Sequence, residues 1–190
     1  MNVLNEVNLN NDSYISHTSS NIINKINTYV RSYFTNNFDG DLIIDKIYIG
    51  SINSIFDVNT LNKLNIHNII SVVNGFVPPT DTLQEFIVID ALDSIHTDLS
   101  IIFNDIVKYI EKLVDENKPV LVHCIAGRSR SVTIVMAYII KRYGFPVEKA
   151  LIFVQSKRKI SKPNDTFMYL LNNYYNQLYH INEWYHTIRI

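Results

Sequence analysis

Cysteine is almost missing from this chain: one residue, Cys124, in 190. A lone cysteine excludes an internal disulfide and any zinc cluster built from several cysteines, and it leaves that thiol free for chemistry. The six histidines are scattered, with no pair at the helical spacing of a zinc site, so neither a metal nor another cofactor is expected. Long apolar runs are missing too. Nowhere do about eighteen apolar residues follow one another, which argues against a membrane-spanning helix. The polar, Asn-rich start, Met1 to Asn11, has neither the basic segment nor the apolar stretch of a secretory signal. Charge of either sign is not in excess: the net value is −1, so nothing global pulls the chain toward nucleic acid or an anionic membrane, and such binding would need a local patch. These absences lead us to expect a soluble, intracellular, cytoplasmic protein with no membrane partner and no nucleic acid partner.

With 47% hydrophobic and 18% charged residues, the composition is that of a globular protein. The length suits one well-buried core. Residues 1–40 read as an extension. Within it Ile22, Ile26, Val30 and Tyr33 recur at helical spacing after the capping residues Ser19 and Ser20, predicting an amphipathic helix at about 20–34. That helix would either cover a face of the domain or dock on a second copy to form a homodimer. Residues 41–190 read as one α/β domain with a C-terminal helix. Strands are expected at 42–44, 47–49, 68–73, 86–89 and 120–122, and helices at 53–64, from Thr97 or Asp98 to Asn117, and at 131–143, 147–158 and 165–180. Alternation of this kind predicts a central, mainly parallel, twisted sheet of four to five strands with helices on both faces. In such sheets ligands sit at the carboxyl ends of the strands.

After the short apolar strand ending at Val122 comes His123-Cys124-Ile125-Ala126-Gly127-Arg128-Ser129-Arg130-Ser131, running straight into an apolar helix. A loop between a strand end and a helix start turns several backbone N–H groups toward one point, and the helix dipole adds positive potential there. The backbone from Ile125 to Arg130 is therefore a candidate phosphate cradle. Gly127 permits the tight turn, and the Arg130 fork grips two phosphate oxygens. The same field lowers the pKa of a thiol, which makes Cys124 a candidate nucleophile. Ser131 is placed to donate its hydroxyl to the sulfur, and His123 to hold Cys124 from behind the loop. A leaving oxygen also needs a proton donor. The residues alone leave Asp90, Asp93 and Asp98 open for that role, Asp98 being well explained as a helix N-terminal residue.

The stretch His123 to Ser131 resembles the His-Cys-x5-Arg-Ser signature of the protein tyrosine phosphatase superfamily, in its dual-specificity branch. The likeness extends from Asp41 to about Leu171. Ile47-Tyr48-Ile49-Gly50 is similar to an early strand of that branch, Leu64 to Ile70 to the next strand entry, and Ser161-Lys162-Pro163-Asn164 with Phe167 and Leu171 to its last helix. The compact size and helical extension are also similar to poxvirus members, which would make the chain a viral protein. The resemblance implies a protein tyrosine phosphatase-like fold, Asp93 as general acid, Asn164 in support of the site, and a phosphocysteine intermediate that needs no metal. It further implies phosphorylated proteins as substrates, at phosphotyrosine and at phosphoserine or phosphothreonine. An RNA 5′-phosphatase and a phosphate-binding module without turnover are the competing classes.

Two features depart from many relatives. Ala126 offers no carboxylate to orient Arg130 from within the loop, so such a partner must come from elsewhere. Arg128 adds a charge expected to point outward, where it reads a second anion on the substrate or is simply solvated. Lys157, Arg158, Lys159 and Lys162 form a basic run that is either solvated surface or, beside a phosphate site, a contact for anionic substrates.

Overall fold

The computed structural model describes residues 6–8, 37–79 and 82–179. The amphipathic helix expected at 20–34 and the chain beyond Tyr179 lie outside the described residues. In chain order the elements are β1 (Glu6–Asn8), β2 (Asp41–Ile44), β3 (Ile47–Gly50), a 3-10 turn (Ile52–Ile55), α1 (Val58–Lys63), β4 (Asn68–Val72) and β5 (Glu85–Asp90). They continue with α2 (Ser100–Asp115), β6 (Val120–His123), α3 (Arg130–Tyr143), α4 (Val147–Lys157) and α5 (Asp165–Tyr179).

The strands lie in the order β1-β5-β4-β6-β3-β2, parallel throughout except for the β2–β3 hairpin. Five of the six are the strands expected from the sequence; β1 is a three-residue edge addition from a stretch with no readable period. The helix expected at 53–64 is broken in two. Asp57 accepts the Thr60 N–H at 3.0 Å and so starts α1 afresh as its N-cap, leaving the preceding residues as a 3-10 turn.

Side chains alternate along each strand, and both faces of the sheet are apolar. Ile47, Ile49, Ile70, Val72, Val120 and Val122 enter the main core beneath α2 to α5. Leu121 and Ile69 enter a smaller core with Ile52, Ile55, Leu61 and Ile66, against which Tyr48 and Phe86 pack. Helix α3 packs on the sheet and on α2, α4 and α5 at once, so every residue from Arg130 to Ile140 is buried. The long apolar run from Ile134 to Ile140 is the sequence signature of that position. It ends at Gly144, whose φ of 67° supplies the left-handed cap.

β6 lies between β3 and β4, with His123 opposite Gly50 and Ser71. The loop that leaves it therefore opens at the carboxyl edge of the sheet, beside the segment that leaves β5. These two segments carry the residues singled out from the sequence.

Candidate active site

Carbonyl partners define the loop from Cys124 to Arg130. The Ile125 carbonyl accepts from Ile52 N–H at 3.2 Å, the Arg128 carbonyl from Lys162 N–H at 2.8 Å, and the Ser129 carbonyl from Thr133 N–H at 2.9 Å. The Gly127 carbonyl accepts from Arg158 Nε at 2.7 Å. A trans peptide is planar, with its C=O and N–H pointing opposite ways. Each carbonyl held outward therefore turns the N–H of the following residue inward. Gly127 sits at φ +62°, and a Cβ there would stand 2.5 Å from both the Gly50 carbonyl oxygen and Arg158 Nη2. Only glycine fits.

Cys124 is 1% exposed, with the Ser131 hydroxyl donating to Sγ at 3.3 Å. Burial acts to raise its pKa. The Ser131 hydroxyl, the N–H groups of Ser131 and Arg128, and the charge of Arg130 outweigh that, so the thiol is held below its ordinary value. Behind it His123 is fully buried, and its Nε2 lies 2.6 Å from Ser71 Oγ on β4. Burial pushes its pKa down to about 4, against a partial pull from the Cys124 backbone. The ring is a neutral spacer at physiological pH.

Asp93 leaves the end of β5 in a loop stitched to the cradle. Its Oδ1 accepts from Ser129 Oγ at 2.8 Å and from Asn164 Nδ2 at 2.9 Å. The same Asn164 caps α5, its Oδ1 accepting the Phe167 N–H at 2.9 Å. Ser129 Oγ in turn accepts the Asn164 N–H at 3.3 Å. Three segments far apart in sequence thus meet at one carboxylate. Asp90 is occupied otherwise, accepting from Asn74 Nδ2 and Gly75 N–H, and Asp98 accepts from the Ser100 N–H and hydroxyl at the start of α2. Neither side chain hydrogen-bonds to the cradle.

Arg130 is 7% exposed. The partner that Ala126 does not supply comes from the loop after β5: Nη1 donates to the Ala91 carbonyl at 2.8 Å, and Nε lies 3.8 Å from Asp93 Oδ2. Nε has no hydrogen-bond partner among the described residues. A buried charged donor left open next to a ring of inward N–H groups is a site for an anion. Among the described residues no three His, Cys, Asp or Glu side chains come together to hold a metal.

Residues 47–177 match the dual specificity phosphatase catalytic domain. The chain belongs to the dual specificity phosphatase family. It is 36% identical over 129 residues to dual specificity protein phosphatase 1 of Arabidopsis thaliana, covering 67% of this chain and 64% of that one. Dual specificity protein phosphatase 1B of the same plant is 34% identical over 128 residues, covering 67% and 77%. Among solved structures, the human tyrosine phosphatase-like serine/threonine/tyrosine-interacting protein superposes with a TM-score of 0.69 at 26% identity, over 73% of this chain and 96% of that one. This chain thus spans slightly under two thirds of the first of these relatives.

At this site one sequence expectation is overturned. Arg158 is not part of a solvated basic surface. It is 4% exposed, and besides Gly127 its guanidinium donates to the Asp39 carbonyl and to Asp41 Oδ2, both at 2.7 Å, with Nη2 3.2 Å from Asp39 Oδ2. Its neighbours Lys157, Lys159 and Lys162 are exposed, as is Arg128. The sequence reading also missed Asp39, Ser51, Ser54, Ser71 and the side chain of Ser129. Asp39 Oδ1 accepts from Ser51 N–H and Oγ, both at 3.0 Å, and from Ser54 Oγ. Nothing local to these residues marks them, since each acts through a partner distant in the chain.

Proposed function

We propose that this protein hydrolyses phosphate monoesters on proteins, at phosphotyrosine and at phosphoserine or phosphothreonine, through a phosphocysteine intermediate. In the first step the Cys124 thiolate attacks phosphorus. The S–P bond forms, the bond from phosphorus to the side-chain oxygen breaks, and Asp93 gives its proton to the leaving oxygen. In the second step water attacks phosphorus and passes a proton to Asp93. The S–P bond breaks, phosphate leaves, and the Ser131 hydroxyl donates to the thiolate that re-forms. The inward N–H groups and Arg130 hold the charge on the transferring group in both steps.

The observation that carries this reading is the Ser131 hydroxyl 3.3 Å from Cys124 Sγ, on a loop whose outward carbonyls leave donors on the sulfur side. A carboxylate tied to that same loop at 2.8 Å supports turnover over a role in phosphate binding alone. A free thiolate nucleophile also suits a reducing compartment, which supports work inside the cell. The test is a panel of phosphotyrosine peptide, phosphothreonine peptide and triphosphorylated RNA, run beside Cys124→Ser. Release of phosphate from both peptides, abolished by Cys124→Ser, is the expected result. Hydrolysis of the RNA alone, or binding of phosphopeptide without turnover, overturns it.

We propose in addition that residues 20–34 join two copies of the chain. Sedimentation of protein lacking the first 35 residues should show the dimer reduced to monomer, and a dimer that survives the deletion refutes this.

A further inference from the structure

We infer that Arg158 is a positioning residue for the phosphate cradle, and that Asp39, upstream of the matched domain, anchors it. The inference deepens the reading of Cys124 as nucleophile and rests on it. Gly127 C=O and Arg128 N–H belong to one planar peptide. By holding that carbonyl at 2.7 Å, Arg158 fixes the opposite end of the same unit, the Arg128 N–H, on the sulfur of Cys124, whose pKa that N–H helps to lower. Release of the carbonyl frees the peptide to rotate about its flanking bonds. Gly127, with no Cβ and a positive φ, offers little resistance to such a rotation.

Asp39 links Arg158 to the second post of the loop. One oxygen faces Arg158 Nη2 at 3.2 Å. The other accepts from both Ser51 donors and from Ser54, and the residue after Ser51 is Ile52, whose N–H holds the Ile125 carbonyl at 3.2 Å. A single carboxylate therefore ties together the two posts that turn the peptides after Ile125 and Gly127. Burial acts to raise the Asp39 carboxyl, yet the donors of Ser54, Ser51 and Arg158 hold it below its ordinary value, so it is ionised wherever the enzyme works. Because residue 39 lies before the matched segment, which begins at residue 47, the catalytic unit of this chain starts earlier than the family match.

Lysine at position 158 keeps the charge but lacks the planar fork that serves Gly127, Asp39 and Asp41 together. That separates positioning from simple Coulombic support of the thiolate. The experiment is ultraviolet titration of the thiolate, unambiguous with one cysteine, in the full chain and in Arg158→Lys, Arg158→Met and Asp39→Asn, with kcat and KM for a phosphotyrosine peptide. Positioning predicts a Cys124 midpoint raised by about one unit in all three variants. It also predicts kcat lowered by on the order of tenfold in each, with KM changed less. An Arg158→Lys protein with the wild-type midpoint and kcat overturns the inference even if Arg158→Met is inactive. So does a folded Asp39→Asn protein with both unchanged. Because the titration needs no turnover, a protein that cleaves no phosphopeptide still reports on the strut, and failure of the phosphatase reading is seen separately.

Discussion

Acidification should loosen the fold through His123 before it reaches the carboxylates. The imidazole is fully buried, with a folded pKa of about 4 against an ordinary value of 6.5. Because the folded value is the lower one, the unfolded chain takes up the proton first. The stabilising contribution is complete above 6.5 and is lost as pH falls through that window toward 4 and below. The full loss is roughly 3 kcal/mol, and near pH 5 it is about 2 kcal/mol. Asp39 and Asp57, both lowered from 3.8, add to acid sensitivity only below that value. Cys124 would blur the result, since a lowered thiol pKa also makes stability rise with pH. Urea unfolding is therefore best run on Cys124→Ser protein, at about pH 5 and about pH 7.5. The expected difference is about 2 kcal/mol, collapsing in a His123→Asn, Cys124→Ser protein, whose own cost from the lost Ser71 contact does not depend on pH. Equal stability at the two pH values, or an undiminished difference in the His123→Asn protein, refutes the argument that burial holds this ring neutral.

Asp93→Asn should lower kcat on phosphotyrosine peptide by about 10²-fold or more, and by less on p-nitrophenyl phosphate, whose leaving group hardly needs a proton. An equal loss on both would remove Asp93 from proton transfer. Ser131→Ala should slow the second displacement, so that rapid mixing with p-nitrophenyl phosphate gives a burst of nitrophenol equal to the enzyme, followed by a slow phase. Absence of a burst would return Ser131 to a packing role. Gly127→Ala puts a Cβ 2.5 Å from the Gly50 carbonyl oxygen in a backbone with φ +62°, and the displaced loop should cost about 10²-fold in kcat/KM. Near-wild-type activity would show that the cradle tolerates another path.

Residues 123–131 are legible in sequence, because strand end, candidate nucleophile, glycine, candidate clamp and helix start follow one another, and contiguous backbone carries their geometry. The apolar runs of β3, β4 and β6 and the long apolar stretch of α3 likewise declare a parallel sheet covered on both faces. Asp93 is one of three aspartates from the end of β5 to the start of α2, and in sequence it is singled out mainly by family likeness. What distinguishes it physically is the meeting with Ser129 and Asn164, across 36 and 71 residues of chain. Arg158 is not legible in this way. In sequence, an arginine in a basic run looks the same whether its guanidinium meets water or a buried carbonyl, and its bond to Asp39 spans 119 residues. Sequence by itself thus determined the candidate reacting groups and the sheet that presents them. Only tertiary structure decided which distant side chains hold those groups in place, because hydrogen bonds between remote segments depend on how layers pack and leave no local periodicity to read.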